Sequence, residues 1–90
     1  MGQDKTQELL KEKLREKGLK VTHQRLQVLS VLEENGGRHM TAEDIYELVS
    51  VDSPEIGLAT VYRTLQLLLD MQLVDRIDFG DGCVRYEIGH

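Results

Sequence analysis

The sequence is short of several things, and each shortage closes off a class of protein. It holds a single cysteine, Cys83, so no disulfide and no Cys-x-x-Cys metal clamp forms within the chain. On general grounds Cys83 reads as a wing-strand residue without a redox task. There is no tryptophan and one phenylalanine, which leaves Leu, Val and Ile to build the core. No apolar run approaches the roughly 18–20 residues that cross a bilayer. The opening Met1-Gly2-Gln3-Asp4-Lys5 lacks the apolar stretch of a secretory signal. A cytoplasmic protein with no membrane partner is expected. The chain also lacks internal repeats, low-complexity tracts and Pro/Gly-rich linkers, and its 90 residues suffice for one core but not two. One domain over residues 1–90 is expected. Chemistry is missing too: no nucleophile in a recognisable setting, no Gly-rich phosphate loop, no carboxylate pair marked out from the acidic surface. An enzyme is not expected.

Positive charge is scarce. Sixteen acidic residues against eleven basic ones give a net charge of −5, which at first sight argues against nucleic acid, since DNA binders usually carry a basic footprint. The distribution softens this. Residues 1–38 hold eight Lys/Arg against six Asp/Glu, whereas residues 39–90 hold three against ten. A DNA-reading element in the acidic half would grip non-specifically only weakly. Specific side chains and a second copy of the domain would have to supply the rest.

What the chain does have is a clear succession of periods. Leu9, Leu10 and Leu14 form a thin apolar stripe at helical spacing in an otherwise charged segment, Asp4 to Lys17, which Gly18 stops. Thr22 is placed to cap a second helix, with Leu26, Leu29 and Leu32 on one face and Val28 and Val31 flanking; Asn35-Gly36-Gly37 ends it. Thr41 and Asp44 match a capping box, opening a third helix expected to bury Ala42, Ile45, Leu48 and Val49. A fourth helix runs from about Gly57 to Gln72, and two starts compete: Ser53 with Pro54 at the first helical position, or the weaker cap Gly57. The period then becomes alternating. Asp75, Ile77 and Phe79 share one face of a first strand; Val84, Tyr86 and Ile88 alternate with Cys83, Arg85 and Glu87 in a second. Gly80-Asp81-Gly82 between them supplies turn chemistry. The fold expected is mostly α with a small β-hairpin: a winged helix-turn-helix, with a three-helix core, a wing and an extra N-terminal helix.

On a wheel of roughly 100° per residue, the fourth helix divides. Leu58, Val61, Leu65, Leu68 and Leu69 make a core stripe; Ala59, Tyr62, Arg63, Gln66 and Asp70 face away; Thr60, Thr64 and Leu67 lie between. A merely solvated face usually carries Glu, Lys and Gln, but this one opens with Ala, Tyr and Arg where a recognition helix meets base edges. Arginine can donate two bonds to guanine O6 and N7, and an apolar surface can meet a thymine methyl. Such a face also arises by chance, with Tyr62 packed on a neighbour and Arg63 simply solvated. On the wing, Arg76 and Arg85 are the candidate backbone contacts, although Asp75, Asp78 and Asp81 surround them. A wing so acidic is poorly suited to clamping DNA.

Three blocks then resemble the ferric uptake regulator (Fur) family in order and spacing. They are Gly18-Leu19-Lys20-Val21-Thr22 with Gln24-Arg25, His39 through Tyr46, and Ile56-Gly57-Leu58-Ala59-Thr60-Val61-Tyr62-Arg63-Thr64-Leu65. Leu73-Val74 and Tyr86-Glu87 fit as well, so the likeness covers roughly residues 15–88. It implies a dimeric, metal-dependent transcriptional repressor that binds an AT-rich palindromic operator in double-stranded DNA. It further implies that Tyr62 and Arg63 contact bases, Lys20 enters an AT-rich minor groove, and Arg25 and Thr60 hold phosphates. Ala59 and Gln66 complete the expected DNA face. The Tyr-Arg pair resembles the iron-sensing branch more than the peroxide sensors, which carry Tyr-Asn.

The resemblance also places metal ligands at His39 and Glu87, a pair that suits Fe(II), Zn(II) or Mn(II). Two ligands are fewer than the usual four, and members of the family carry a further C-terminal domain that dimerises and contains Cys-x-x-Cys zinc sites. The chain is therefore expected to be a monomeric fragment that holds no metal by itself, and His90 is either the first of a further ligand cluster or the start of a tag. His23 reads as a polar surface residue. The competing reading is a winged helix that has given up DNA and binds protein, which the acidic balance would suit.

Overall fold

The computed structural model describes residues 2–89, with side chains described from Lys5 onward; His90, the candidate further ligand, lies outside them. Four helices, α1 (Gly2–Glu16), α2 (His23–Glu34), α3 (Ala42–Asp52) and α4 (Leu58–Asp70), precede two strands, β1 (Val74–Asp78) and β2 (Val84–Ile88). The expected element order is what is found.

Local chemistry sets most boundaries. Gly18, at φ +72°, lets α1 close in a Schellman turn: Leu19 N–H donates to Leu14 C=O (2.8 Å) and Gly18 N–H to Arg15 C=O (3.0 Å). Thr22 Oγ1 accepts from Arg25 N–H at 3.3 Å and caps α2. The Thr41–Asp44 capping box is reciprocal, both bonds being 3.1 Å. Gly57, not Ser53, is the N-cap of α4. Ser53 is used otherwise, closing α3 with its N–H on Val49 C=O (2.9 Å). The helix ends at Asp70, two residues before the expected Gln72, because Gln72 turns left-handed at φ 62° and builds a second Schellman turn, its N–H on Leu69 C=O (2.9 Å) and that of Leu73 on Leu68 C=O (3.0 Å).

The core is a single cluster drawn from every element. α2 lies at its centre, touching α1, α3, α4 and β2. Val28, Leu29, Val31 and Leu32 are therefore all buried, while Leu26 is only partly so. Three expected core residues are not in it: Leu58, at the first position of α4, is only half-buried, and two more are exposed. Leu9 is 42% exposed because Leu10 and Leu14, one turn apart, face α2 and leave Leu9 turned aside; Leu48 is 38% exposed because α3 meets its neighbours through Ala42, Ile45 and Val49.

The strands pair antiparallel, from Val74 opposite Ile88 to Asp78 opposite Val84. The tip turns on Gly80 and Gly82, both at φ near +80°, with the Asp78 and Asp81 carboxylates accepting from Gly80 N–H (2.8 Å) and Cys83 N–H (3.1 Å). Phe79 and Cys83 therefore belong to the tip, not to the strands where alternation placed them; both are exposed. Tyr86 is buried and bridges to Met40 through two backbone bonds, Met40 N–H to Tyr86 C=O (3.1 Å) and Tyr86 N–H to Met40 C=O (2.7 Å). That bridge ties the wing to the loop before α3. No described helix is long and apolar enough to cross a membrane.

Candidate nucleic-acid interface

The two faces of α4 separate largely as the wheel requires, although Leu58 and Leu69 of the expected core stripe are only half-buried. Val61, Leu65 and Leu68 are fully buried, whereas Ala59, Tyr62, Arg63, Gln66 and Asp70 are exposed, Tyr62 at 44%. Thr64, at the border, turns inward and Thr60 is half-buried. Arg63 and Gln66 each have a light, local partner. Arg63 Nη2 donates to Thr60 Oγ1 at 3.2 Å and Gln66 Nε2 to Asp70 Oδ1 at 3.1 Å. Across the loop, Arg25 Nη1 donates to the Lys20 carbonyl at 2.6 Å, which fixes the backbone at Lys20 against the start of α2.

Four of the seven candidate residues, Arg25, Thr60, Arg63 and Gln66, line one surface hollow of about 460 Å³ between the start of α2 and the outer face of α4. Lys20 does not line it, although its backbone carbonyl is bound by Arg25, and Asp70 is its acidic member. Tyr62 does not share this hollow. It lines a second one, of about 350 Å³, with Glu43 of α3, Arg76 of β1 and Cys83 of the tip. Its hydroxyl donates to Glu43 Oε2 at 3.2 Å. Loss of water around the ring, then the bond to Glu43 and its charge, hold the Tyr62 phenol above its ordinary value. Ala59 lines neither hollow and sits exposed near the start of α4. Reading the sequence missed Glu43: it stands in the first turn of a helix, a common place for an acid, and nothing in its spacing points to a tyrosine 19 residues on.

The wing arginines are not equivalent. Arg85 is bound to Asp81 at 2.9 Å and lies 5.3 Å from the Phe79 ring centroid, so its charge is committed to the tip. The backbone N–H of Cys83, then Arg85, hold the Asp81 carboxyl below its ordinary value. Arg76 is exposed and makes no ion pair among the described residues.

His39 Nε2 and Glu87 Oε1 stand 3.2 Å apart, and the His39 ring lies 5.5 Å from that of Phe79. Metal–ligand bonds of about 2.0–2.2 Å put two donors about 2.9 Å apart at a right angle and about 3.4 Å apart at the tetrahedral angle. The observed separation falls between, so the two donors are close enough to share one cation, although as they stand they are hydrogen-bonded to each other. No group of three candidate ligands occurs among the described residues. His23 is exposed, as expected, and ties the start of α2 to the turn after α3 through Ser53 Oγ (2.9 Å) and Glu55 (3.8 Å).

Helices α3 and α4, packed over α2 and followed at once by a hairpin, define a winged helix-turn-helix domain. The chain belongs to the Ferric uptake regulator family, whose sequence pattern matches residues 16–90. It is 52% identical over 79 residues to the ferric uptake regulation protein of Bacillus subtilis, a match covering 88% of this chain and 53% of that one. Against the protein of the same name from Escherichia coli K12 the identity is 44% over 75 residues, covering 83% and 51%. Among solved structures, the ferric uptake regulator Fur of Helicobacter pylori, described as having three functional metal binding sites, superposes with a TM-score of 0.87 at 28% identity, over 96% of this chain and 57% of that one. The Pseudomonas aeruginosa ferric uptake regulator, solved with manganese, gives 0.76 at 39% identity, over 88% and 59%. The chain thus spans about half the length of the relatives it matches, and those relatives are named as regulators, not enzymes.

Proposed function

We propose that this chain is the DNA-binding domain of a metal-dependent, iron-responsive transcriptional repressor acting in the cytoplasm, and that α4 reads the major groove of an AT-rich palindrome. The observation that carries the reading is the hollow that gathers Arg25, Thr60, Arg63 and Gln66 beside Lys20. Arg63 need only exchange its bond to Thr60 to donate two bonds to guanine, and Gln66 its bond to Asp70 to engage adenine. The Tyr62 ring and Ala59 present apolar surface to thymine methyls. Arg25, and Thr60 once released, hold phosphates, while Lys20 reaches into a narrow minor groove. On the wing, Arg76 is the arginine left for the backbone. With few positive charges nearby, affinity depends on two domains acting together in a homodimer, because linked half-sites raise effective concentration.

His39 and Glu87 would hold a divalent cation, Fe(II), Mn(II) or Zn(II), with further ligands from elsewhere. Its charge would replace their mutual hydrogen bond by a firmer tie between the loop before α3 and the wing.

A salt series tests the reading. Affinity for an AT-rich palindromic duplex should fall as salt rises, through release of counterions from the phosphates. Salt-independent binding would favour a protein-binding winged helix instead.

A further inference from the structure

The Tyr62 phenol is tethered to a carboxylate on another helix, on the very face that meets DNA in the reading above. Glu43 is the second residue of α3, yet its side chain reaches α4, accepting from Tyr62 at 3.2 Å. The capping box at the same helix end is made by Thr41 and Asp44, so the Glu43 carboxylate takes no part in it. Two physical consequences follow. The tether restricts a half-exposed ring that would otherwise sample several rotamers, and so sets where its apolar surface lies. The charge also matters, because Glu43 and Arg76 line the same hollow and Arg76 has no ion-pair partner among the described residues. Within this lining Glu43 offsets the Arg76 charge; without the carboxylate the surface shown to an approaching phosphate would be more positive by one charge.

From this geometry we infer that Glu43 is a specificity-determining residue of the DNA face: it positions the Tyr62 ring for base contact, and its charge suppresses sequence-indifferent attraction to phosphates. The inference rests on α4 reading DNA. It explains why an acid stands among the reading residues, where a maximally adhesive surface would carry a base. The raised Tyr62 phenol is consistent with the tether.

The test compares wild type, Glu43→Gln, Glu43→Ala, Tyr62→Phe and the Glu43→Ala/Tyr62→Phe double variant. Each is titrated with an AT-rich palindromic duplex and with a scrambled duplex of the same composition, at one salt concentration. Glu43→Gln keeps an acceptor for the phenol but loses the charge. It should bind both duplexes roughly threefold or more tighter, with the wild-type ratio between them preserved. Glu43→Ala should tighten on the scrambled duplex by the same factor but not on the palindrome, so the ratio falls. The double variant should discriminate no worse than Glu43→Ala alone. A purely structural role, as an acid favouring the α3 dipole, would weaken both duplexes equally and be rescued by neither variant. On the free protein, the ultraviolet transition of Tyr62, taken as wild type minus Tyr62→Phe, should move down in Glu43→Ala. A wild type that separates the duplexes while Glu43→Ala separates them equally well, or an unmoved Tyr62 transition, would overturn the inference alone. A wild type that does not separate them would overturn the DNA reading, and this inference with it.

Discussion

His39 and Glu87 are 48 residues apart in sequence and 3.2 Å apart in space. The cause is the neighbouring backbone bridge: Met40 and Tyr86 exchange two hydrogen bonds, which brings the residue before one alongside the residue after the other. A single buried tyrosine in the wing thereby registers two candidate ligands against each other. The Phe79 ring, between the His39 imidazole and the Arg85 guanidinium, extends this contact toward the tip.

If that pair forms one arm of a metal site, Zn(II) added to the chain should shift the His39 and Phe79 ring resonances before those of His23. Glu87→Gln should weaken the effect about tenfold or more, as loss of an ordering carboxylate does at metal centres. Equal response at His39 and His23 would mean isolated imidazoles binding independently.

Gln72 is the one residue other than glycine that turns left-handed, at φ 62°, among the described residues. Such a conformation costs a side-chain-bearing residue about 1–2 kcal/mol, part of which glycine returns as chain entropy in the unfolded state. Gln72→Gly should therefore raise stability by about 0.5–1 kcal/mol in urea denaturation. A loss of stability would mean that the Gln72 side chain contributes more than its backbone costs.

The Asp81 carboxylate accepts from Cys83 N–H and pairs with Arg85, and its proton affinity is depressed accordingly. A depressed acid stabilises above its unfolded value and loses that contribution as pH falls through the folded one. The wing tip should then loosen below its ordinary 3.8. Amide exchange at Cys83 is the readout, expected to quicken on acidification in wild type and to be fast and much less pH-sensitive, after correction for intrinsic rates, in Asp81→Asn. A wild-type profile indistinguishable from that of the variant would contradict the assignment.

Lys20 has its carbonyl held by Arg25 while its side chain is exposed. Lys20→Ala should cost about 1 kcal/mol on duplexes with AT-rich flanks, where the minor groove is narrow and its potential deep. Flank-independent loss would make Lys20 an ordinary phosphate contact.

Much of this architecture was written locally. The fourth helix carries its buried and exposed faces in its own spacing, and the Thr41–Asp44 box and the Gly80-Asp81-Gly82 turn are short-range signals that fold as they read. What could not be read depends on neighbours. Leu9 and Leu48 are as apolar as the leucines beside them, and only the angle at which α1 and α3 meet the rest decides which leucine is covered. The end of α4 was misplaced because Gln72 adopts a glycine-like conformation without being glycine. The His39–Glu87 pair came from family resemblance alone, and the Glu43–Tyr62 bond from nothing in the sequence, since both are made by tertiary packing.

The central claim is that the outer face of α4 reads bases, and Arg63 tests it most directly. Binding of wild type and Arg63→Ala should be measured on an AT-rich palindrome and on a scrambled duplex. The account predicts a loss of about 1–3 kcal/mol on the palindrome, a much smaller one on the scramble, and relaxed preference at one base position. Equal losses on both duplexes would reduce Arg63 to a phosphate contact and contradict the claim.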